Sequence, residues 1–555
     1  MRSSEPSPKV RTGTLAALNQ PIFRAVWITS LITNFGGLIQ SVGAAWMMSS
    51  IASAQMVALV QASVALPIML LSLAAGALAD TMDRRKIMLM AQSFMLAVSV
   101  GLSVITYMGW ITPWVLLTFT FLIGCGVAFN GPAWQASVGD MVPREDLPGA
   151  VTLNSMGFNM ARSVGPALGG VIVAAFGAAA AFAVNAFSYV GLLVVLFRWK
   201  PNRPAQTLPR EGLIEAMKGG VRYACLSPRV VAVLSRALVF GIGASGVQAL
   251  MPLVAREAGG GPLAFGMLLG SFGIGAVGGA LFVGHLRSRY SNEAIVRGAM
   301  LGFAVSALII GYSPWLLLTL PALLIAGAGW VLTLSTLNVT VQMSVPRWVV
   351  ARALALYQMT AFGGMAIGSW LWGALAQARG VDLALGLSSI VLMVCVAIGL
   401  KLRLPSTANL NMDLLRRWTE PETQLTIEPR SGPVVVTIAY RIREADIDAF
   451  LAVMDDRRRI RRRDGARQWH LMRDLAEPDI WVEKYQTPTW LDYVRHNQRI
   501  TQADAEVSER LRALHQGPDT PVVHRMIERT TAPLSANLHA DRPLVEPLTD
   551  PNRSS

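Results

Sequence analysis

From Ile22 onward the chain alternates long apolar runs with short polar breaks. A helix needs about 20 apolar residues to cross the hydrocarbon core of a bilayer. Runs of that length occupy residues 22–48, 56–79, 87–108, 112–133, 149–175 and 178–198, and again 230–252, 263–285, 294–312, 315–337, 352–378 and 383–400. The pattern predicts twelve transmembrane helices in two groups of six. It divides the chain into an N-terminal segment (1–21), a six-helix bundle (22–198), a polar linker (199–229), a second six-helix bundle (230–403) and a further linker (404–432). Within the first linker, Glu211 to Cys225 reads either as a short interfacial helix or as plain linker.

Beyond residue 432 the period changes. Val434 to Tyr440 alternates as a half-buried strand does, and Glu444 to Arg461 has the spacing of an amphipathic helix. Ala466 to Leu471 and Ile480 to Tyr485 read as strands, about 488–514 as helices, and Val522 to Glu528 as a last strand. The order βαββαβ is that of a split, ferredoxin-like unit. The fold class expected is therefore an all-α polytopic membrane protein with a small C-terminal α+β domain over 433–530. Residues 531–555 have the composition of a disordered tail.

Composition agrees. Apolar residues make up 53% of the 555 residues and charged ones 15%, and the mean hydropathy is +0.45. A soluble globular chain carries about 25% charged residues, so an ordinary soluble multidomain enzyme is excluded. Residues 1–400 hold 24 Lys and Arg against 11 Asp and Glu, whereas residues 401–555 hold 24 against 23. The net charge of +14 thus belongs to the membrane block, in short segments between apolar runs. A nucleic-acid partner would call for a dense basic patch on a soluble domain. The one candidate, Arg457 to Arg463, is flanked by Asp455, Asp456 and Asp464, and no nucleic acid is expected. Cys125, Cys225 and Cys395 are too far apart for a metal-binding or disulfide framework, so no metal or cofactor is implied. The first apolar run is too long for a signal peptide and reads as the first span.

The loop charges give an orientation. Lys9, Arg11, Arg24, Arg84, Arg85, Lys86, Arg144, Arg198, Lys200, Arg287, Arg289, Arg347 and Lys401 fall on one side, and only Arg256 and Arg379 on the other. By the positive-inside rule both termini lie in the cytoplasm of a cell (inner or plasma) membrane protein. An internal repeat supports the six-plus-six division. At an offset of 203 residues, Gly76-Ala77-Leu78 returns as Gly279-Ala280-Leu281 and Val142-Pro143-Arg144 as Val345-Pro346-Arg347. In the same register Gly165, Gly170 and Gly177 meet Gly368, Gly373 and Gly380. Two parallel copies of a bundle place a binding site near the bilayer midplane between them.

Between the second and third spans stands Gly76-Ala77-Leu78-Ala79-Asp80-Thr81-Met82-Asp83-Arg84-Arg85-Lys86. Gly76 permits close helix approach, and the basic cluster suits an anionic leaflet. The segment resembles the signature loop of the major facilitator superfamily, with Asp83 where that family usually has glycine. The resemblance implies a gate formed by Gly76, Asp80, Arg84 and Arg85, with Arg352 at the start of span eleven as the candidate cation. In the second copy Val283 replaces the acid. Span five carries Gly165-Pro166-Ala167-Leu168-Gly169-Gly170, similar to the span-five motif of exporters in the superfamily. Together with Val142 to Leu147, Leu153-Asn154, Arg162 and Asn185, it resembles the transmembrane secretion effector branch, over about residues 12–405. That resemblance implies efflux of a siderophore, drug or other secondary metabolite.

Arg162 reads as the only charge clearly inside a span. A buried Arg costs at least about 2.5 kcal/mol, so it faces protein or a water-filled cavity. It is expected either to anchor an anionic or polar cargo, or to clamp carbonyls and reach towards Asp140 and Glu145. Asn159, Arg162, Pro166 and Gly170 share one helical stripe. Asn34, Gln40, Gln248, Asn338 and Gln358 are further candidate cargo contacts, each also readable as helix–helix glue. No acid lies deep in a span, and Thr120 stands where many proton-coupled relatives have Arg, so proton coupling is the default without a visible carrier.

The tail resembles the antibiotic-biosynthesis-monooxygenase type of ferredoxin-like domain. Trp469, His470, Trp481, Tyr485, Trp490, Tyr493 and His496 are candidates for lining a pocket or for plain core. A dimerisation, cargo-sensing or regulatory role is weighed above catalysis, and the chain is not expected to be an enzyme. The expectation is a secondary exporter working by alternating access, with a small-molecule cargo and the lipid bilayer as partners. Import by the same machinery, a tethered oxygenase and a transport-dead scaffold are the alternatives.

Overall fold

In a computed structural model the described residues are 16–528, except 144–145, 201–212, 314, 347, 402, 405–414, 416–417, 419, 422, 426 and 518–519. The predicted segments 1–21 and 404–432 are therefore described only in part, and 531–555 lies outside. Chain contacts divide the protein into two compact units.

The first unit, residues 1–204, 232–339 and 355–404, contains the long helices. They are α1 (Pro21–Ile51), α2 (Ala54–Thr81), α3 (Arg84–Tyr107), α4 (Pro113–Met141) and α5 (Leu147–Arg198). After α6 (Leu213–Leu226) come α7 (Pro228–Glu257), α8 (Pro262–Arg289), α9 (Asn292–Tyr312), α10 (Leu316–Met343), α11 (Val350–Arg379) and α12 (Val381–Lys401). Gly177, at φ 80°, breaks α5 into two arms, and these are the separately predicted spans 149–175 and 178–198. With both arms counted, the twelve predicted spans are all helical. Among the described residues ten helices are long and apolar enough to cross a membrane by length and composition. The count is lower because α5 counts once and α11, with four Gly and two Gln, falls short.

Helix starts follow local chemistry. Pro opens α1, α4, α7 and α8, where its missing N–H costs nothing. The Asp83 carboxylate accepts from the N–H groups of Arg85 and Lys86 and so caps α3. The departure from glycine in the signature loop is thus a helix cap. The repeat is visible in the backbone as well. Gly177 and its match Gly380, at φ 97°, both take the left-handed conformation that turns one helix into the next.

The second unit, residues 205–231, 340–354 and 405–555, joins α6 and the α10–α11 turn to the C-terminal domain. The helix of the first linker is thus present. The domain runs β1 (Val434–Arg441), α13 (Ile447–Arg463), β2 (Arg467–Arg473), β3 (Ile480–Thr487), α14 (Trp490–Gln498), α15 (Gln502–Leu514) and β4 (Val522–Ile527). The sheet is antiparallel in the order β2-β3-β1-β4, as a split βαββαβ unit requires. Val434, Val436, Ile438 and Tyr440 alternate inward from β1 onto Phe450, Val453 and Met454 of α13 and Leu511 of α15.

Candidate functional site

Gly170 and Gly373, one pair matched by the repeat, lie at contacts between the two bundles. A Cβ built on Gly170 of α5 would lie 2.8 Å from the Cα of Gly266 of α8, and the reverse distance is also 2.8 Å. Its match, Gly373 of α11, closes in the same way on Gln55 and Ala58 of α2. Gly165 and Gly169 let α5 approach Leu38, Ile39 and Val42 of α1, and Gly368 lets α11 approach Ile242 of α7. Only residues without side chains permit such approach, the packing mode of membrane helices. Pro166 is buried at the same crossing, where its carbonyl faces Gly266.

Arg162, one turn before Pro166, reaches out of its own bundle. Its guanidinium lies 5.4 Å from the ring centroid of Trp330 (α10) and 5.9 Å from that of Phe272 (α8). Those rings belong to a cluster with Phe240 and Phe303, the centroids 5.6–6.5 Å apart. The cation therefore rests on aromatic faces, and Asp140, one of its expected acidic partners, pairs instead with Arg84 at 3.0 Å. Cation–π contact in a desolvated site is worth about 2 kcal/mol, which offsets most of the cost of placing a charge there without a carboxylate.

The other candidates divide. Gln40 is 4% exposed, and its Oε1 accepts from Asn185 Nδ2 at 2.5 Å and Ser99 Oγ at 3.0 Å. This network, completed by the Tyr189 hydroxyl, ties α1 and α3 to the second arm of α5. It turns Gln40 into the bundle interior, where it ties helices together, the second of the two roles open to it. Asn34 is half-buried and shares a face of α1 with Ser41 and with Gly37, beside which there is open space. Gln248, Asn338 and Gln358 are half-buried on α7, α10 and α11. The side chains of Asn159 and Asp80 lie outside the described residues. Thr120 returns its hydroxyl to the carbonyls of Leu116 and Leu117.

In the signature loop, Arg85 donates to the carbonyls of Leu196 and Phe197 at the end of α5, at 2.8 and 2.7 Å. The loop is thereby fixed to its own bundle. Gly76 faces Ala355 of α11 at 3.9 Å, and Ser72 donates to the Ala355 carbonyl at 3.4 Å. Arg352 packs on α6: a Cβ on Gly220 would meet its Cβ at 2.7 Å.

A second charge inside a predicted span corrects the uniqueness of Arg162. Arg236 on α7 is 1% exposed and makes a two-pronged pair with Glu293 of α9, at 2.8 and 3.0 Å. Glu293 also takes the Leu404 N–H at 2.8 Å and Arg297 at 3.1 Å. Glu293 borders the predicted span 294–312, and no local spacing links it to a residue 57 positions earlier.

The C-terminal domain has a half-open cavity of about 440 Å³ between the sheet and α13, α14 and α15. Tyr485 and Tyr493 line it. The other expected pocket aromatics are engaged elsewhere. Trp469 donates to Glu483, Trp490 to Glu420, Trp481 packs on Phe450, and His470 is exposed. Behind the lining, Glu483 is fully buried and accepts from Arg461 Nε at 3.2 Å and the Tyr440 hydroxyl at 3.1 Å. Burial opposes its charge, but Arg461 and Arg457 outweigh burial and hold the carboxyl below its ordinary range. His496 is buried and accepts from Arg461 Nη1 at 2.8 Å; burial first, then that guanidinium, keeps its ring neutral.

Two bundles of six helices with close glycine crossings are the architecture of a membrane transporter. The chain belongs to the transmembrane secretion effector family of the major facilitator superfamily, whose pattern matches residues 12–532 and so includes the C-terminal domain. An uncharacterized MFS-type transporter, YfiS of Bacillus subtilis, is 26% identical over 343 residues, 59% of this chain and 79% of that one. The enterobactin exporter EntS of Citrobacter koseri is 26% identical, covering 54% and 72%. The staphyloferrin A transporter of Staphylococcus aureus is 29% identical over 198 residues, 34% of this chain and half of that one. Among solved structures, the nucleoside transporter NupG gives a TM-score of 0.58 at 12% identity, over 69% of this chain and all of that one. A bacterial homologue of the lysosomal transporter Spinster gives 0.57 at 13%, over 70% and 98%. These two likenesses carry the fold alone.

Proposed function

We propose that this transporter exports a small anionic or polar metabolite of the siderophore or drug type, by alternating access driven by the proton gradient. The observation that carries the reading is Arg162, a cation from one bundle seated on the Phe272 and Trp330 rings of the other. A cargo carrying negative charge competes for the guanidinium and links cargo occupancy to the fit between bundles. Asn34, Asn159, Gln248, Asn338 and Gln358 complete the proposed lining. Gly76, Asp80, Arg84, Arg85 and Arg352 serve as the gating element, and Gly165, Pro166, Gly169 and Gly170 as the hinge of the exporter motif. The basic loops support cytoplasmic termini in an inner membrane.

The C-terminal domain is a regulatory and dimerisation module without catalytic function. Arg499 lies 4.0 Å from the Trp348 ring in the α10–α11 turn, and Arg463 lies 4.9 Å from the Tyr223 ring of α6. Both support a hold on segments that feed directly into transport helices. The outward face of the sheet carries Val435, Ala439, Val482 and Met526, which supports pairing with a second copy.

Everted vesicles energised by respiration, and right-side-out vesicles beside them, test direction. The expected result is protonophore-sensitive accumulation of cargo in everted vesicles. Uptake confined to right-side-out vesicles would instead establish import.

A further inference from the structure

The cavity of the C-terminal domain is a feature that transport does not use. A half-open pocket of about 440 Å³ is within the range of a small-molecule site. Its walls divide by chemistry. Tyr485, Tyr493 and Trp418 present aromatic surface, Trp418 edge-on to Tyr493 at 6.0 Å. Among the described residues Arg457, Arg461, Arg512 and Arg525 supply four cations against Glu509 on the wall and Glu483 behind it. Glu483 and His496 engage Arg461 and the Tyr493 hydroxyl engages Arg525, whereas Arg457 is satisfied only in part. Arg457 gives Nη1 to Ser508 at 2.8 Å, but among the described residues its buried Nε has no hydrogen-bond acceptor, its ion-pair partner Glu483 being 3.6 Å away. A buried donor without an acceptor is costly and marks a place for an oxyanion.

We propose that this cavity is a binding site for a small aromatic carboxylate, with its ring against Tyr485 and Tyr493 and its carboxylate on Arg457 and Arg461. The site deepens the regulatory reading of the domain. Helices α13 and α14, which form two of its walls, lead into Arg463 and Arg499, the residues that hold Tyr223 and Trp348. Binding is measured without any transport step, so its failure and that of the exporter reading are separate results.

The test is calorimetric titration of the full-length protein in lipid nanodiscs with 2-naphthoate, against empty nanodiscs, with 2-naphthamide as the uncharged shape control. The expected result is saturable binding of the acid, weaker for the amide by about tenfold or more, the effect of one charge-assisted hydrogen bond. Arg457→Gln weakens the acid by a similar factor, Arg512→Gln by less, and Ala505→Phe, which fills the cavity from α15, abolishes binding. Arg441→Gln, on the far face of the sheet, leaves it unchanged, and thermal unfolding identifies any variant that fails to fold. Equal affinity for acid and amide, binding that survives Ala505→Phe, or no saturable heat at millimolar ligand would each overturn the proposal.

Discussion

The contact between Gly170 and Gly266 makes a quantitative prediction about the conformational equilibrium. Alanine at either position places a methyl carbon 2.8 Å from the opposing Cα. Carbon atoms rest at about 3.5–4.0 Å, so α5 and α8 must part by about 1 Å or strain locally. Overpacking of this size costs about 1–3 kcal/mol. That cost falls only on the conformation in which the helices touch, so the population ratio of the two access states shifts by about 5- to 150-fold. The assay is the rate of maleimide labelling of Asn34→Cys from each side of the membrane, in a background with serine at Cys125, Cys225 and Cys395. Both Gly170→Ala and Gly266→Ala are expected to change the ratio of labelling rates, in the same direction. Gly37→Ala, where the added methyl meets open space, is expected to leave it unchanged. Identical labelling in all three variants would refute the role given to the crossing.

Glu293→Ala strands Arg236, which is 1% exposed, and is expected to cost about 3–5 kcal/mol, read as a lowered unfolding temperature of the purified protein, with Glu293→Gln losing less. Asn185→Leu leaves the inward-facing Gln40 and Ser99 without their shared partner, and is expected to lower stability by about 1–3 kcal/mol while leaving cargo affinity unchanged. The pH dependence of the C-terminal domain follows from two depressed groups. For His496 the unfolded state binds the proton more readily, so its contribution is full above about pH 6.5 and declines as pH falls below that. Glu483 adds a second loss as pH falls below about 4.5 and through its depressed native value. Thermal unfolding of the full chain between pH 7 and pH 4 is expected to show the first decline, and His496→Phe to flatten it.

The twelve spans and the repeat were legible because membrane helices are written in long apolar runs and because Gly177 and Gly380 keep one offset. Much of the site was not. Phe272 and Trp330 look like core in the sequence, and only the fold brings Arg162 to them. Gln40 had the same residue type and depth as the cargo candidates, and its partners Ser99 and Asn185 lie on other helices. The Arg236–Glu293 pair was hidden by sequence distance. In the tail the alternation predicted each strand, whereas an arginine-lined cavity arises from α13, α15 and β4, which no single window contains.

The central claim is that Arg162 binds cargo between the bundles. Its most direct measurement is accumulation of a mixed siderophore, antibiotic and metabolite pool in respiring everted vesicles, read by mass spectrometry for wild type, Arg162→Lys and Arg162→Ala. The expected result is one or more anionic compounds concentrated by wild type, reduced in Arg162→Lys because an ammonium lacks the planar fork, and lost in Arg162→Ala at equal protein level. Unchanged accumulation in Arg162→Ala would contradict it and leave Arg162 as a packing residue on Phe272 and Trp330.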